Sequence, residues 1–152
     1  LNNCAVVIKP VIHLVGLSYC GPYSAIPDEA IRLQSEFLSR KHEIQGEIDT
    51  NLLHCPYFGN EVFVSYLACW EAGSHLDHVP EGMVQFTIPE RTYAMVRCTN
   101  KRIGEGYEAL LSWMNEQRLV KRDNAVSLEI YYIDEHLEEE PVDLLIPIEQ
   151  HQ

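Results

Sequence analysis

The sequence predicts an α+β fold in which a strand-helix-strand-strand unit occurs twice. The two units are related by a pseudo-twofold axis and share an antiparallel sheet, two main helices and a central ligand cleft. Three observations lead there. A long run of strand-forming residues opens each half, and each run is interrupted by a proline at a comparable place, Pro10 and Pro89. An apolar stripe at helical spacing follows each run. Two shorter β-rich segments then close each half, so the order of elements repeats although residue identity hardly does; Ile31 with Phe37 against Tyr107 with Trp113 is the nearest local echo. The half-repeats fall at about 4–75 and 83–149 of a single 152-residue domain.

Residues 4–19 read as one long strand: Ala5-Val6-Val7-Ile8, a bend at Lys9-Pro10, then Val11 to Leu17. Both of its alternating faces are apolar, which predicts cover on both sides. Gly21-Pro22 ends it. Pro27-Asp28-Glu29 suits a first helical turn, where a missing N–H costs nothing and the helix dipole favours acids. Ala30, Ile31, Leu33, Phe37 and Leu38 mark the apolar stripe of that helix, over 27–42. A polar connection at 46–51 leads to strands at 52–58 and 61–70, turned by Gly59-Asn60. The second of these places Tyr66 and Trp70 on one face. Loop-forming residues crowd 71–82 and predict the junction between halves. Strands at 83–88 and 93–98 flank Pro89, and a helix over 103–117 carries Ile103, Tyr107, Leu110, Leu111 and Met114 in its stripe, with Trp113 on its shoulder. Strands at 125–134 and 142–148, joined by an acidic turn, finish the chain.

Eleven Lys and Arg against 23 Asp and Glu give a net charge of −12. That charge repels a polyanion and leaves no basic stripe for phosphates, so direct nucleic-acid binding is not expected. No apolar run is long enough to span a bilayer, and Leu1-Asn2-Asn3 carries no signal-peptide pattern, so no membrane association is expected. The cysteines (Cys4, Cys20, Cys55, Cys69, Cys98) are odd in number, widely spaced and without C-x-x-C, and read as reduced, mostly buried thiols of a cytoplasmic protein. His75-x-x-His78 with Glu71 and Asp77 has metal-ligand residue types but sits in polar loop sequence without cysteines at zinc spacing. Gly104-x-Gly106 lacks the rest of a phosphate-binding fingerprint, and His54-Cys55 has no orienting third group. No metal and no other cofactor is expected.

The strand Ser127-Leu128-Glu129-Ile130-Tyr131-Tyr132-Ile133 contains the chemical anomaly. Glu does not suit a half-buried pleated surface and is almost never buried without a partner. Alternation puts Glu129 and Tyr131 on one face and Leu128, Ile130 and Tyr132 on the other. Two placements are open. Either the apolar face is the core and Glu129 is solvated, or Glu129 lies in an enclosed site with Tyr131 beside it. A carboxylate among aromatic faces, shielded from water, would attract a lipophilic cation. Trp70, Tyr66, Tyr93, Tyr107 and Trp113 are the further aromatic candidates by topology.

Several segments, in this order and spacing, resemble the GyrI-like or AraC-type effector-binding domains. They are Ile88-Pro89 followed by Tyr93-Ala94, Leu111-Ser112-Trp113-Met114, Leu128-Glu129-Ile130-Tyr131 and Leu145-Ile146-Pro147-Ile148. The resemblance runs over roughly 6–149. It implies the tandem repeat, a pocket between the halves, and contact of the strand glutamate, here Glu129, with lipophilic cations. It also implies a stand-alone bacterial member of the mobile-cassette kind, without a DNA-reading partner domain. Two departures stand out. Cys98-Thr99-Asn100 replaces a region where many relatives carry Gly, and Leu33-Gln34 stands where relatives often have Leu-Trp.

The leading expectation is therefore a multidrug-binding protein whose ligands are lipophilic cations and whose site comprises Glu129, Tyr131, Trp70, Tyr66, Tyr93, Tyr107 and Trp113. The alternatives are a hydrolase of small molecules using Glu129 and Tyr131, and an interaction module acting through the acidic turn near Glu138, Glu139 and Glu140. Binding is preferred to catalysis because no further base or nucleophile is evident near the strand. Exposed edge strands would permit a homodimer.

Overall fold

The computed structural model describes residues 3–45 and 51–150; most of the expected polar connection lies outside them. The elements in chain order are β1 (Ala5–Lys9), β2 (Ile12–Pro22), α1 (Asp28–Arg40), β3 (Leu52–Gly59), β4 (Phe63–Ala72), β5 (Val84–Ile88), β6 (Arg91–Thr99), α2 (Ile103–Glu116), β7 (Ser127–Tyr132) and β8 (Pro141–Pro147). The strands form one antiparallel, strongly curled sheet in the order β1-β6-β8-β7-β3-β4-β2-β5. Exchanging each element for its counterpart in the other half reverses this order into itself, as a pseudo-twofold axis between β7 and β3 requires. The fold class is the expected one.

The two proline breaks do more than bend a strand. Pro10 lies between β1 and β2, and Pro89 between β5 and β6. Each cut sends the leading strand across the molecule: β1 pairs with β6, and β5 pairs with β2. Each half thus supplies the edge strand of the other's sheet. The expectation of one long strand at 4–19 covered on both sides is corrected accordingly. β2 is buried on both faces from Leu14 to Leu17, whereas β1 is an edge strand with Val6 and Ile8 exposed.

Eight strands and two helices leave one sheet face for the helices and one to close on itself. α1 buries Ala30, Leu33 and Phe37, and α2 buries Gly106, Leu110 and Met114, all at helical spacing. They rest on Val15, Leu17, Ala68, Trp70, Val96, Cys98, Val142 and Leu144. Inside the curl lie Ile12, Leu14, Ile88, Tyr93, Leu128, Ile130 and Leu145. Nearby, Arg97 of β6 donates to both carboxylate oxygens of buried Asp143 on β8 at 2.8 and 3.1 Å and to the Tyr132 hydroxyl of β7 at 2.8 Å. Three strands are thereby joined across one face. Two stripe residues are corrected: Ile31 is 63% exposed and Leu111 55%. Ile31 turns toward a cavity described below, and Leu111 points to the solvent side of α2.

Close approach explains two glycines. A Cβ on Gly16 of β2 would lie 1.9 Å from the Ala68 carbonyl oxygen and 2.7 Å from Cys69 Cα, both backbone atoms. A Cβ on Gly106 would meet only side-chain atoms, Cys98 Sγ and Leu144 Cδ1, at 2.9 Å. Gly106→Ala should cost about 1–3 kcal/mol, whereas Gly16→Ala should exceed about 3 kcal/mol, because backbone cannot yield as side chains do. Urea unfolding of both variants measures this, and equal midpoints would contradict the packing of β2 on β4.

Candidate functional site

β7 and β3 are the two central strands, so the middle of β7 is remote from both sheet edges. Glu129 sits there, 8% exposed, opposite Cys55 of β3 and Leu144 of β8. Ser127 and Tyr131 share its face by alternation. Register places Tyr57 of β3 opposite both Ser127 of β7 and Tyr66 of β4, so these tyrosines reach the same face. α2 contributes Tyr107 from its second turn and α1 contributes Gln34.

Three phenol hydroxyls donate to the carboxylate. Tyr107 reaches Oε2 at 2.7 Å, and Tyr131 and Tyr66 reach Oε1 at 2.9 and 3.3 Å. Behind them, the Tyr57 and Tyr107 hydroxyls are 2.6 Å apart, and Gln34 Nε2 donates to the Tyr66 oxygen at 2.8 Å. Among the described residues no Lys or Arg forms an ion pair with Glu129. Burial pushes the Glu129 carboxyl above its ordinary 4.5, and the bonds from Tyr107, Tyr131 and Tyr66 pull the other way without cancelling it. Burial also raises all four tyrosines, with the Glu129 charge adding to it, so they remain neutral donors at physiological pH.

A cavity of about 800 Å³ opens over this cluster, between the N-terminal ends of the two helices. Ile26, Pro27, Ala30 and Ile31 line one side and Ile103 and Gly104 the other; Asn100 and Lys101, both exposed, and Glu140 also border it. The volume suits a drug-sized molecule, and the lining is apolar around a few convergent polar groups. A second hollow of about 620 Å³, between the β3–β4 turn and 121–125, shares Tyr23, Tyr57 and Val64 with it but contains no buried carboxylate.

The profile of the integron-associated effector-binding proteins matches residues 6–148. The chain belongs to that family. The effector-binding domain is also 32% identical to the transcriptional regulator BrlR of Pseudomonas aeruginosa over 155 residues, covering 96% of this chain and 55% of the regulator. It thus spans about half the length of that relative. Among solved structures it is similar to SAV2435 bound to tetraphenylphosphonium, with TM-score 0.70, 13% identity and coverage of 97% and 94%. It is likewise similar to an integron cassette protein from the mobile metagenome of Vibrio cholerae, with TM-score 0.70, 11% identity and coverage of 96% and 95%. At such identities the two structures speak for the fold.

Of the residues singled out in the sequence, the domain gathers Glu129, Tyr131, Tyr66 and Tyr107 on one cavity. Three others lie elsewhere. Trp70 is on the same face of β4 as Tyr66 but four residues on, about 13 Å along the strand. There it packs edge-on against Phe37 at 5.3 Å in the core under α1. Tyr93 has the opposite parity on β6 and is buried inside the curl. Trp113 lies six residues beyond Tyr107, roughly 9 Å along α2, and packs half-buried against the core. Sequence reasoning missed Tyr57, whose pairing opposite Ser127 reveals it only once the register is known. It noticed Gln34 only as a departure from relatives. His75, set aside above as polar loop sequence, meets Gln85 at 3.1 Å.

Removing the shortest of the three donors tests the electrostatics. In Tyr107→Phe the loss of a hydrogen bond to a charged group should make Glu129 titrate at a pH roughly one unit higher or more. Carbon-detected NMR of the labelled carboxyl follows this, and an unchanged titration would mean that Tyr107 does not hold the ionised form.

Proposed function

We propose that the domain binds lipophilic cations in the central cavity, with Glu129 as counter-ion and Tyr131, Tyr66 and Tyr107 as both its hydrogen-bond donors and the aromatic wall. The observation that carries this is a carboxylate buried in an apolar cavity with hydroxyl donors but, among the described residues, no ion pair to a Lys or Arg. A charge pair at 4 Å is worth about 1 kcal/mol in water and about 4 kcal/mol at an effective dielectric of 20, so enclosure makes the site selective for cations. Each aromatic face adds about 0.5–2 kcal/mol. Support comes from SAV2435, a relative in fold, whose ligand tetraphenylphosphonium is itself a lipophilic cation.

The three tyrosine bonds weigh against general-base hydrolysis, since they occupy most of the lone pairs a base would aim at water. The acidic turn is a poor free contact surface. Glu139 accepts from Thr99, and Glu140 accepts from the Asp134 N–H at 2.8 Å.

Titration with tetraphenylphosphonium, a neutral isostere and an anion of similar size tests the proposal. The cation should bind best, and Glu129→Gln should weaken it by roughly tenfold to a hundredfold. Equal binding of cation and isostere would sink the reading. A cation stabilises the ionised carboxylate, so binding should expel a proton from the fraction of Glu129 still protonated. Because the free-state pKa is raised above 4.5, affinity should climb with pH above that value and level off once Glu129 is ionised in the free protein. Calorimetry in buffers of different ionisation heat measures the proton release, and the Glu129→Gln variant should show a flat profile.

A further inference from the structure

The direction of every hydrogen bond around Glu129 follows from the hydrogens available. A phenol has one hydrogen to give. Those of Tyr107, Tyr131 and Tyr66 go to the carboxylate. Tyr107 has none left for Tyr57, so in the 2.6 Å contact between them Tyr57 is the donor. Tyr66 likewise can only accept from α1, which fixes the Gln34 amide with Nε2 toward that hydroxyl. Gln34 hydrogen bonding also acts on the Tyr131 hydroxyl, lowering its proton affinity as a donor to its oxygen does. The chain therefore runs inward from both sides, Tyr57 to Tyr107 to Glu129 and Gln34 to Tyr66 to Glu129.

The consequence is that the side-chain hydrogens around the carboxylate are all committed while lone pairs remain. Gln34 Oε1 and the remaining carboxylate lone pair are the uncommitted acceptors, since the Tyr57 oxygen is bonded by Ser127, while the side-chain donors at the border, Tyr23, Asn100 and Lys101, are all exposed. A quaternary ion presents only C–H groups to such a lining, whereas an ammonium or amidinium presents N–H donors that match it. The three apolar flanks, Ile26 with Ile31, Ile103, and Val64, leave room for an aromatic or aliphatic body.

We propose that Gln34 is a specificity-determining residue, and that the domain selects cations carrying N–H groups, such as protonated amines and amidinium ions on an apolar body, over quaternary cations of equal size. The inference rests on the cation site proposed above. Gln34 has a fixed orientation because its Nε2 is held by Tyr66, so its Oε1 is presented to a ligand rather than free to rotate away.

The test uses the full chain and three probes on one body: 1-naphthylmethylammonium, its N,N,N-trimethyl derivative and 1-naphthylmethanol. Calorimetric or fluorescence titration should show the primary ion binding about tenfold or more tighter than the trimethyl ion, as expected for a hydrogen bond to a charged group. Gln34→Met keeps the length and helix propensity of the side chain and should bring that ratio near one; Gln34→Leu serves as a second variant should the first unfold at a lower temperature. A wild-type ratio at or below one, or a ratio unchanged in both variants, overturns the role of Gln34. If both ions still outbind the alcohol and lose affinity in Glu129→Gln, the cation site itself stands and only the N–H selectivity fails. If the alcohol binds as well as the ions, or neither ion binds, both fall.

Discussion

Everything at the centre of this molecule depends on keeping a carboxylate out of water. Ionised Glu129 in the middle of an eight-stranded sheet carries a desolvation cost that three phenol hydroxyls reduce but do not remove. The tyrosines come from β4, α2 and β7 itself, so the cluster ties both halves of the chain to one charge. An apolar residue at position 129 would leave three buried hydroxyls without their acceptor, which costs more than losing the bonds themselves. The cluster calls for a hydrogen-bond acceptor there, and its donors compensate the desolvation of an ionised carboxylate only in part.

The fold serves this arrangement by placing the join between halves at the β7–β3 pair, where the sheet is most enclosed. Helices from the two halves converge on it from either side with their N-terminal ends. Their own cores lie farther along, under Phe37 and Leu110, so the cavity can be open without unpacking either helix. Gly106 allows α2 to approach Cys98 and Leu144 closely, and this close seat fixes the height of Tyr107, three residues short of Leu110, over the sheet.

Much of this was legible in the sequence, because periodicity and punctuation act locally. The strand-helix-strand-strand order, the two prolines, and the shared parity of Glu129 with Tyr131 all follow from spacing. What was not legible depends on register and on parity in partner strands. Tyr93 and Trp70 are aromatic residues on strands of the right sheet; one faces the wrong way and the other sits too far along, and neither fact is encoded nearby. Tyr57 became part of the site only through its pairing with Ser127 and Tyr66. Ile31 broke the helical stripe for a related reason. The stripe predicts what a helix buries against its sheet, whereas Ile31 faces a gap between two helices.

The exchange of β1 and β5 between halves has a consequence for how the chain is made. The first half has β2, β3 and β4 in hand once residue 72 is synthesised, yet its sheet lacks an edge until Val84–Ile88 arrives. The second half, in turn, is completed by a strand made at the very beginning. Neither half closes alone, and contacts between residues 68 to 90 positions apart must form before either is finished. The two arms act as a clasp: once both are seated, parting the halves at the cavity means peeling a strand from each end of the sheet.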